Sequence, residues 1–142
     1  MNTTQFAPSG TRIVMRNMVM ALIATVVLNL VVYFIGESAG WIPDSLPSGA
    51  ETFGIPAIIA STVGPIVLGG VLLAILVHTT THPVRMFALI AAVVFIATLF
   101  APLSVAGAST AFRSFLVALH VITALVGTIL LIWGIEDEEQ HY

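Results

Sequence analysis

Four continuous apolar runs, each about as long as a bilayer is thick, constrain this chain more than any other feature. A helix rising 1.5 Å per residue needs about 20 apolar residues to cross a hydrocarbon core of roughly 30 Å. Asn17–Gly36, Ile55–Val77, Val84–Leu103 and Ser114–Ile135 each meet that length. Runs such as IVLGGVLLAILV lack the period-two alternation of a membrane β-strand, so the spans read as helices. Only 8% of the residues are charged and the mean hydropathy is +1.10. A soluble domain carries roughly 25% charged residues, so the solvent of this chain has to be lipid.

The spans use most of the 142 residues, which leaves a single four-helix membrane domain and no room for a soluble one. The first run, with Arg12 and Arg16 before it, invites comparison with a cleaved signal peptide. Its apolar stretch outruns the 7–15 residues of a signal core, so an uncleaved span is expected. Arginines near span ends set orientation. Arg12, Arg16 and Arg85 fall on one side of a hairpin arrangement and Arg113 on the other. The expectation is an antiparallel bundle with both termini, including the acidic tail 136–142, in the cytoplasm.

The links differ in character. His78 to Pro83 is a tight polar turnaround, and Ser104–Phe112 is short, small and uncharged. The loop Glu37–Gly54 is longer and holds Trp41, Pro43, Asp44, Pro47 and Glu51. Trp41 and Ile42 suit the membrane interface. This loop would lid an external ligand, or only cap the bundle.

Hydrophobicity does not hold helices together in lipid; close backbone approach and interhelical hydrogen bonds do. Ala57, Ser61, Pro65 and Gly69 recur every four residues on the second span, with Gly64 and Gly70 widening the stripe, and predict a packing face. Pro65 and Pro102 leave the carbonyls of Ser61 and Thr98 without helical partners, and the Thr98 hydroxyl could help re-satisfy the backbone. Asn29, one turn after Thr25, should face protein.

His120 is the one ionisable group deep inside a run, and intramembrane ionisable groups are functional leads by default. It shares a helix side with Arg113, Ala124, Gly127 and Leu131, and Thr123 lies one turn on. Arg113 stands about 10 Å along the axis, too far for direct contact, although an anion or water could bridge the gap. At a similar depth, Asn29 is the expected hydrogen-bond partner of His120. The candidate polar site is therefore His120, Arg113, Asn29, Thr98 and Thr123. Its two readings are a neutral histidine joining helices and a ligand pocket in the external half.

Cofactor chemistry finds little here. His78 and His82 lie about 20 Å in depth from His120, so one chain cannot supply both axial ligands of a haem. Two copies of His120 could do so only about a symmetry axis. Leu116 occupies the position, four before His120, where pigment-binding helices usually place a small residue. His78 and His82, in a loop without a carboxylate, make a poor zinc site, and thiolate chemistry needs cysteine, of which there is none. No phosphate loop, zinc-protease or nucleophile-elbow motif is present, and no span holds a carboxylate. No catalytic residue, cofactor or metal is expected, and nothing points to nucleic acid. The expected partners are lipid and either a second copy or another membrane subunit.

From about Gly64 to Trp133 the order of features resembles a family of small bacterial four-helix membrane proteins, the domain of unknown function numbered 6069. The features are Gly64-Pro65 opening a Gly-rich span, the turnaround with Pro83 and Arg85, and Ala101-Pro102-Leu103. The small-residue turn Ala106–Ala111, Arg113 and Ala118-Leu119-His120 complete them. The resemblance implies a topology and no activity. Taken together, these features suggest a non-catalytic accessory or packing subunit; the alternative is a small-molecule binding or transport protein with its pocket near His120 and Arg113.

Overall fold

In the computed structural model, residues 9–45 and 54–135 are described. The tail with His141, and the loop residues 46–53 with Pro47 and Glu51, lie outside the described residues. The described residues form four helices and no strand: α1 (Ser9–Ser38), α2 (Ile55–Thr79), α3 (Pro83–Leu103) and α4 (Thr110–Ile132). All four are long and apolar enough to cross a membrane.

Their ends follow local chemistry more than apolar run length. α1 starts eight residues before Asn17, because helical hydrogen bonding continues through the polar residues ahead of the apolar run. Arg12 and Arg16 therefore sit on the helix, not before it. It stops where Gly40 takes φ +69°, with Gly40 N–H donating to the Glu37 carbonyl and Trp41 N–H to that of Gly36. That pair of bonds is a Schellman stop, which needs a left-handed residue and so favours glycine. Prolines open α2 and α3, where a missing N–H costs nothing. The Ser109 side chain caps α4, accepting from Phe112 N–H at 3.1 Å, so Arg113 also lies within its helix.

α1 packs against α2 and α4, while α3 leans on α4 and α2 without touching α1. Along the α1–α2 seam, Gly10 lies by Val77, Met18 by Gly70 and Asn29 by Thr62. Along the α1–α4 seam, Asn17 meets Leu131, Asn29 meets Thr123 and Gly36 meets Phe115. On both seams the numbers fall on the partner as they rise on α1.

The interior is layered. One apolar cluster holds Val14, Ala21, Ile66, Leu73, Phe87 and Leu131. A second, toward the far end, holds Tyr33, Ile58, Phe112, Phe115 and Leu119, with Ile42 packed against it. Between them lie the buried polar residues Thr25, Asn29 and Thr62. Gly127 lets α4 approach α2: a Cβ there would run into Ile66 Cδ1. α3 is peripheral, with only Pro83 and Phe87 buried.

The small-residue stripe expected to pack on α2 divides: Gly70 is buried against Met18 and a Cβ on Gly69 would meet Leu131 Cδ1 at 3.1 Å, while the rest of it does not line the interior of this bundle. The residues turned inward are Ile58, Thr62, Ile66, Gly70 and Leu73. Ala57, Ser61 and Pro65 are exposed on the protein surface, and Gly64 and Gly69 are half-buried. The inward face is the one that fills space with Ile and Leu, admits Met18 at Gly70 and places the Thr62 hydroxyl at Asn29.

Candidate functional site

Asn29 is 1% exposed and is the hub of the polar layer. Its Nδ2 donates to Thr62 Oγ1 and to Thr123 Oγ1, each at 2.8 Å, tying α1 to α2 and α4 at one depth. Both threonines have already given their single hydroxyl hydrogen to their own helices: Thr62 to the Ile58 carbonyl at 2.7 Å, Thr123 to that of Leu119 at 2.9 Å. They can therefore only accept from the amide, which orients it without ambiguity. Asn29 Oδ1 is left buried and without a hydrogen bond, as is Thr25 Oγ1 one turn earlier.

The expected Asn29–His120 bond does not form. His120 sits on the other flank of α4, turned to α3, where Nε2 lies 3.0 Å from Thr98 Oγ1 and the ring stacks on Phe95 at 5.3 Å and 18°. The Thr98 hydroxyl donates to the Val94 carbonyl at 2.7 Å, with that of Phe95 at 3.3 Å. Its hydrogen is spent, so His120 Nε2–H is the donor to the Thr98 hydroxyl oxygen. The Thr98 hydroxyl thus serves the preceding turn and not the carbonyl freed by Pro102. Likewise the Ser61 hydroxyl donates to the Ile58 carbonyl at 3.1 Å.

Arg113 joins neither group. Its guanidinium donates to the Val105 carbonyl at 3.1 Å, pinning the α3–α4 turn, while its Nε is buried without a hydrogen bond. The five candidate residues thus form three separate contacts: Asn29 with Thr123, Thr98 with His120, and Arg113 with the turn. They are not gathered into one cluster, because His120 and Thr123, three residues apart on α4, face different neighbours. Among the described residues no group of three His, Asp or Glu could hold a metal ion.

Besides Thr62, two further polar contacts involve residues outside the candidate site. Asn17, at 0% exposure, donates from Nδ2 to the carbonyls of Leu131 at 3.0 Å and Trp133 at 2.7 Å. It closes the end of α4, where carbonyls lack helical partners, and Arg16 donates to its Oδ1 at 3.2 Å. Asn17 opens the apolar run, so it reads as a boundary residue; its helical spacing with Val14, Ala21, Thr25 and Asn29 was the available signal. The other is Thr11 Oγ1, 2.8 Å from His78 Nε2 across the start of α1 and the end of α2.

Four helices long and apolar enough to cross a bilayer, with asparagines turned inward onto neighbouring helices, characterise an all-helical integral membrane protein. The particular family is equally plain: the chain belongs to the Family of unknown function (DUF6069), which matches residues 9–134. The match extends the likeness beyond the second half, through α1. Searches of curated proteins and of solved structures found no significant match.

Proposed function

We propose that this chain is an antiparallel four-helix bundle of the bacterial plasma membrane, both termini cytoplasmic, acting as a non-catalytic accessory or packing subunit of a larger membrane assembly. The opposed numbering along the α1–α2 and α1–α4 seams supports the antiparallel arrangement. The observation that carries the functional reading is the outward row Ala57, Ser61 and Pro65 on α2. Small residues on a lipid-depth surface allow a second backbone to approach closely. Ser61 has spent its hydroxyl hydrogen on its own helix, and a Cβ on Gly64 would meet only open space. A pocket protein would instead turn that row inward and gather His120, Arg113 and Asn29 around one space, and these three residues contact different neighbours.

The chain has no cysteine, so single-cysteine variants test this cleanly in native membranes. Ser61→Cys should cross-link to a protein neighbour, and inward Ile58→Cys should not. Absence of any adduct at Ser61 and at Gly64→Cys, with a monomeric purified protein, overturns the subunit reading. Reporter fusions at both ends and at Ser45 test the orientation; opposite sides for the two ends would overturn it.

A further inference from the structure

Three polar groups on three different helices share one depth. Asn29 bonds Thr62 on α2 and Thr123 on α4, which sets those two threonines level. Ser61 adjoins Thr62, and His120 stands three residues before Thr123, about 4.5 Å along the axis. Thr98 on α3 is bonded to His120.

These groups border one recess. α3 covers the row Ala57, Ser61, Pro65 and Gly69 only at its last member, where a Cβ on Gly69 would lie 3.5 Å from Phe87 Cζ. Pro65, Ser61 and Ala57 are exposed, and so is Thr98, eleven residues beyond the buried Phe87. α2 and α3 therefore meet at Gly69 and part toward Ser61. On α4, His120 lies two turns before Gly127 and on the same side. Gly127 faces α2 and His120 faces α3, so His120, itself half-buried, borders the space where those helices part.

Every polar atom there can only accept. The Ser61 hydroxyl hydrogen goes to the Ile58 carbonyl and that of Thr98 to the Val94 carbonyl. With Nε2–H donated to Thr98, a neutral imidazole leaves Nδ1 as a bare acceptor, and Nδ1 has no partner among the described residues. His120 lies ten residues into α4, about 15 Å from its start, where hydrocarbon offers no water to satisfy a polar atom. The complement of such a recess is a donor. A second copy of this chain would set acceptors against acceptors. A serine or threonine of another helix is a poor source as well. Ser61, Thr62, Thr79, Thr98 and Thr123 all spend their hydrogens on their own helices. Amide side chains do reach across, as those of Asn17 and Asn29 show.

On the basis of the subunit reading above, we propose that a transmembrane helix of a different protein seats in this recess. Its backbone lies against Ser61 and Pro65, and a side-chain amide donates to His120 Nδ1.

Photo-cross-linking of the full-length chain in native membranes tests this, with a short photo-reactive label on single cysteines at the two walls. Ser61→Cys on α2 and Val94→Cys, one turn from Thr98 on α3, should give adducts of the same mass. Leu125→Cys, exposed on the far side of α4 from His120, should not give that adduct. His120→Leu should lower the yield at both walls about three- to fifteen-fold, the equilibrium worth of one interhelical hydrogen bond. His120→Gln should restore it, because the new amide can donate to Thr98 and still present an oxygen. No adduct at Ser61 would sink the subunit reading and this proposal with it. An adduct at Ser61 with none, or a different one, at Val94 leaves that reading standing and overturns this proposal. So does an adduct made of two copies of this chain, a yield that His120→Leu leaves unchanged, or a natively helical His120→Gln variant that fails to restore it.

Discussion

Replacing Asn29 by alanine removes two interhelical hydrogen bonds at once, and the structure says what remains. Thr62 and Thr123 keep their bonds to the Ile58 and Leu119 carbonyls, so neither is left as an unsatisfied donor. The unpartnered Asn29 Oδ1 disappears with the side chain, which offsets part of the loss. Hydrogen bonds between membrane helices contribute about 0.6 kcal/mol on average and about 1.7 at most. Two such bonds, with the space left at a buried position, make a destabilisation of about 1–3 kcal/mol the expected outcome. The assay is reversible unfolding in mixed micelles, followed by helicity, with double-mutant cycles. Asn29→Ala should couple to Thr62→Ala and to Thr123→Ala by about 0.5–1.5 kcal/mol each. It should be additive with His120→Ala to within about 0.5 kcal/mol, since the two share no partner. Coupling to His120 stronger than coupling to Thr62 would refute the division of the polar groups into separate contacts.

Asn17→Ala should cost about 1–3 kcal/mol by freeing the Leu131 and Trp133 carbonyls, and hydrogen exchange should rise in the last turn of α4. Gly127→Ala should destabilise by about 1–3 kcal/mol through overpacking on Ile66, and Ile66→Ala should largely relieve the clash. Gly64→Ala, with open space at its Cβ, should leave the unfolding midpoint within about 0.5 kcal/mol of wild type or raise it. Nitrogen NMR of labelled histidine should place the hydrogen of neutral His120 on Nε2; a ring protonated on Nδ1 would mean that Thr98 donates and that its bond to Val94 is broken.

Much of the chain was readable before any fold was known. Span lengths, the proline-opened helices and the glycine and proline breaks between them come from local chemistry, and the helices occupy those segments. Boundaries shifted where polar residues continue a helix past its apolar run, as Ser9 to Arg16 do in α1. The candidate site fared differently. Asn29, Thr98, Thr123 and His120 all do bond across helices, so their residue types identified polar contacts. Their partners were not legible, because similar depth does not fix the direction in which a side chain points. Asn29 and His120 were paired by depth, and the fold turns one to α2 and α4 and the other to α3.

The face of α2 shows the same limit more sharply. Its row of small residues reads as a contact surface, yet the side turned into this bundle carries Ile58, Ile66 and Leu73. In water the apolar side of a helix announces which way it faces. In lipid both sides are apolar and surroundings as oily as leucine exert little torque on the helix. Sequence by itself therefore determined the class of protein, the number of spans and the kinds of side chain able to join them. Tertiary structure alone decided the rotation of each helix and the matching of each polar group. Those depend on hydrogen-bond geometry between residues as far apart as Asn17 and Trp133, and on where a glycine such as Gly127 lets two backbones meet.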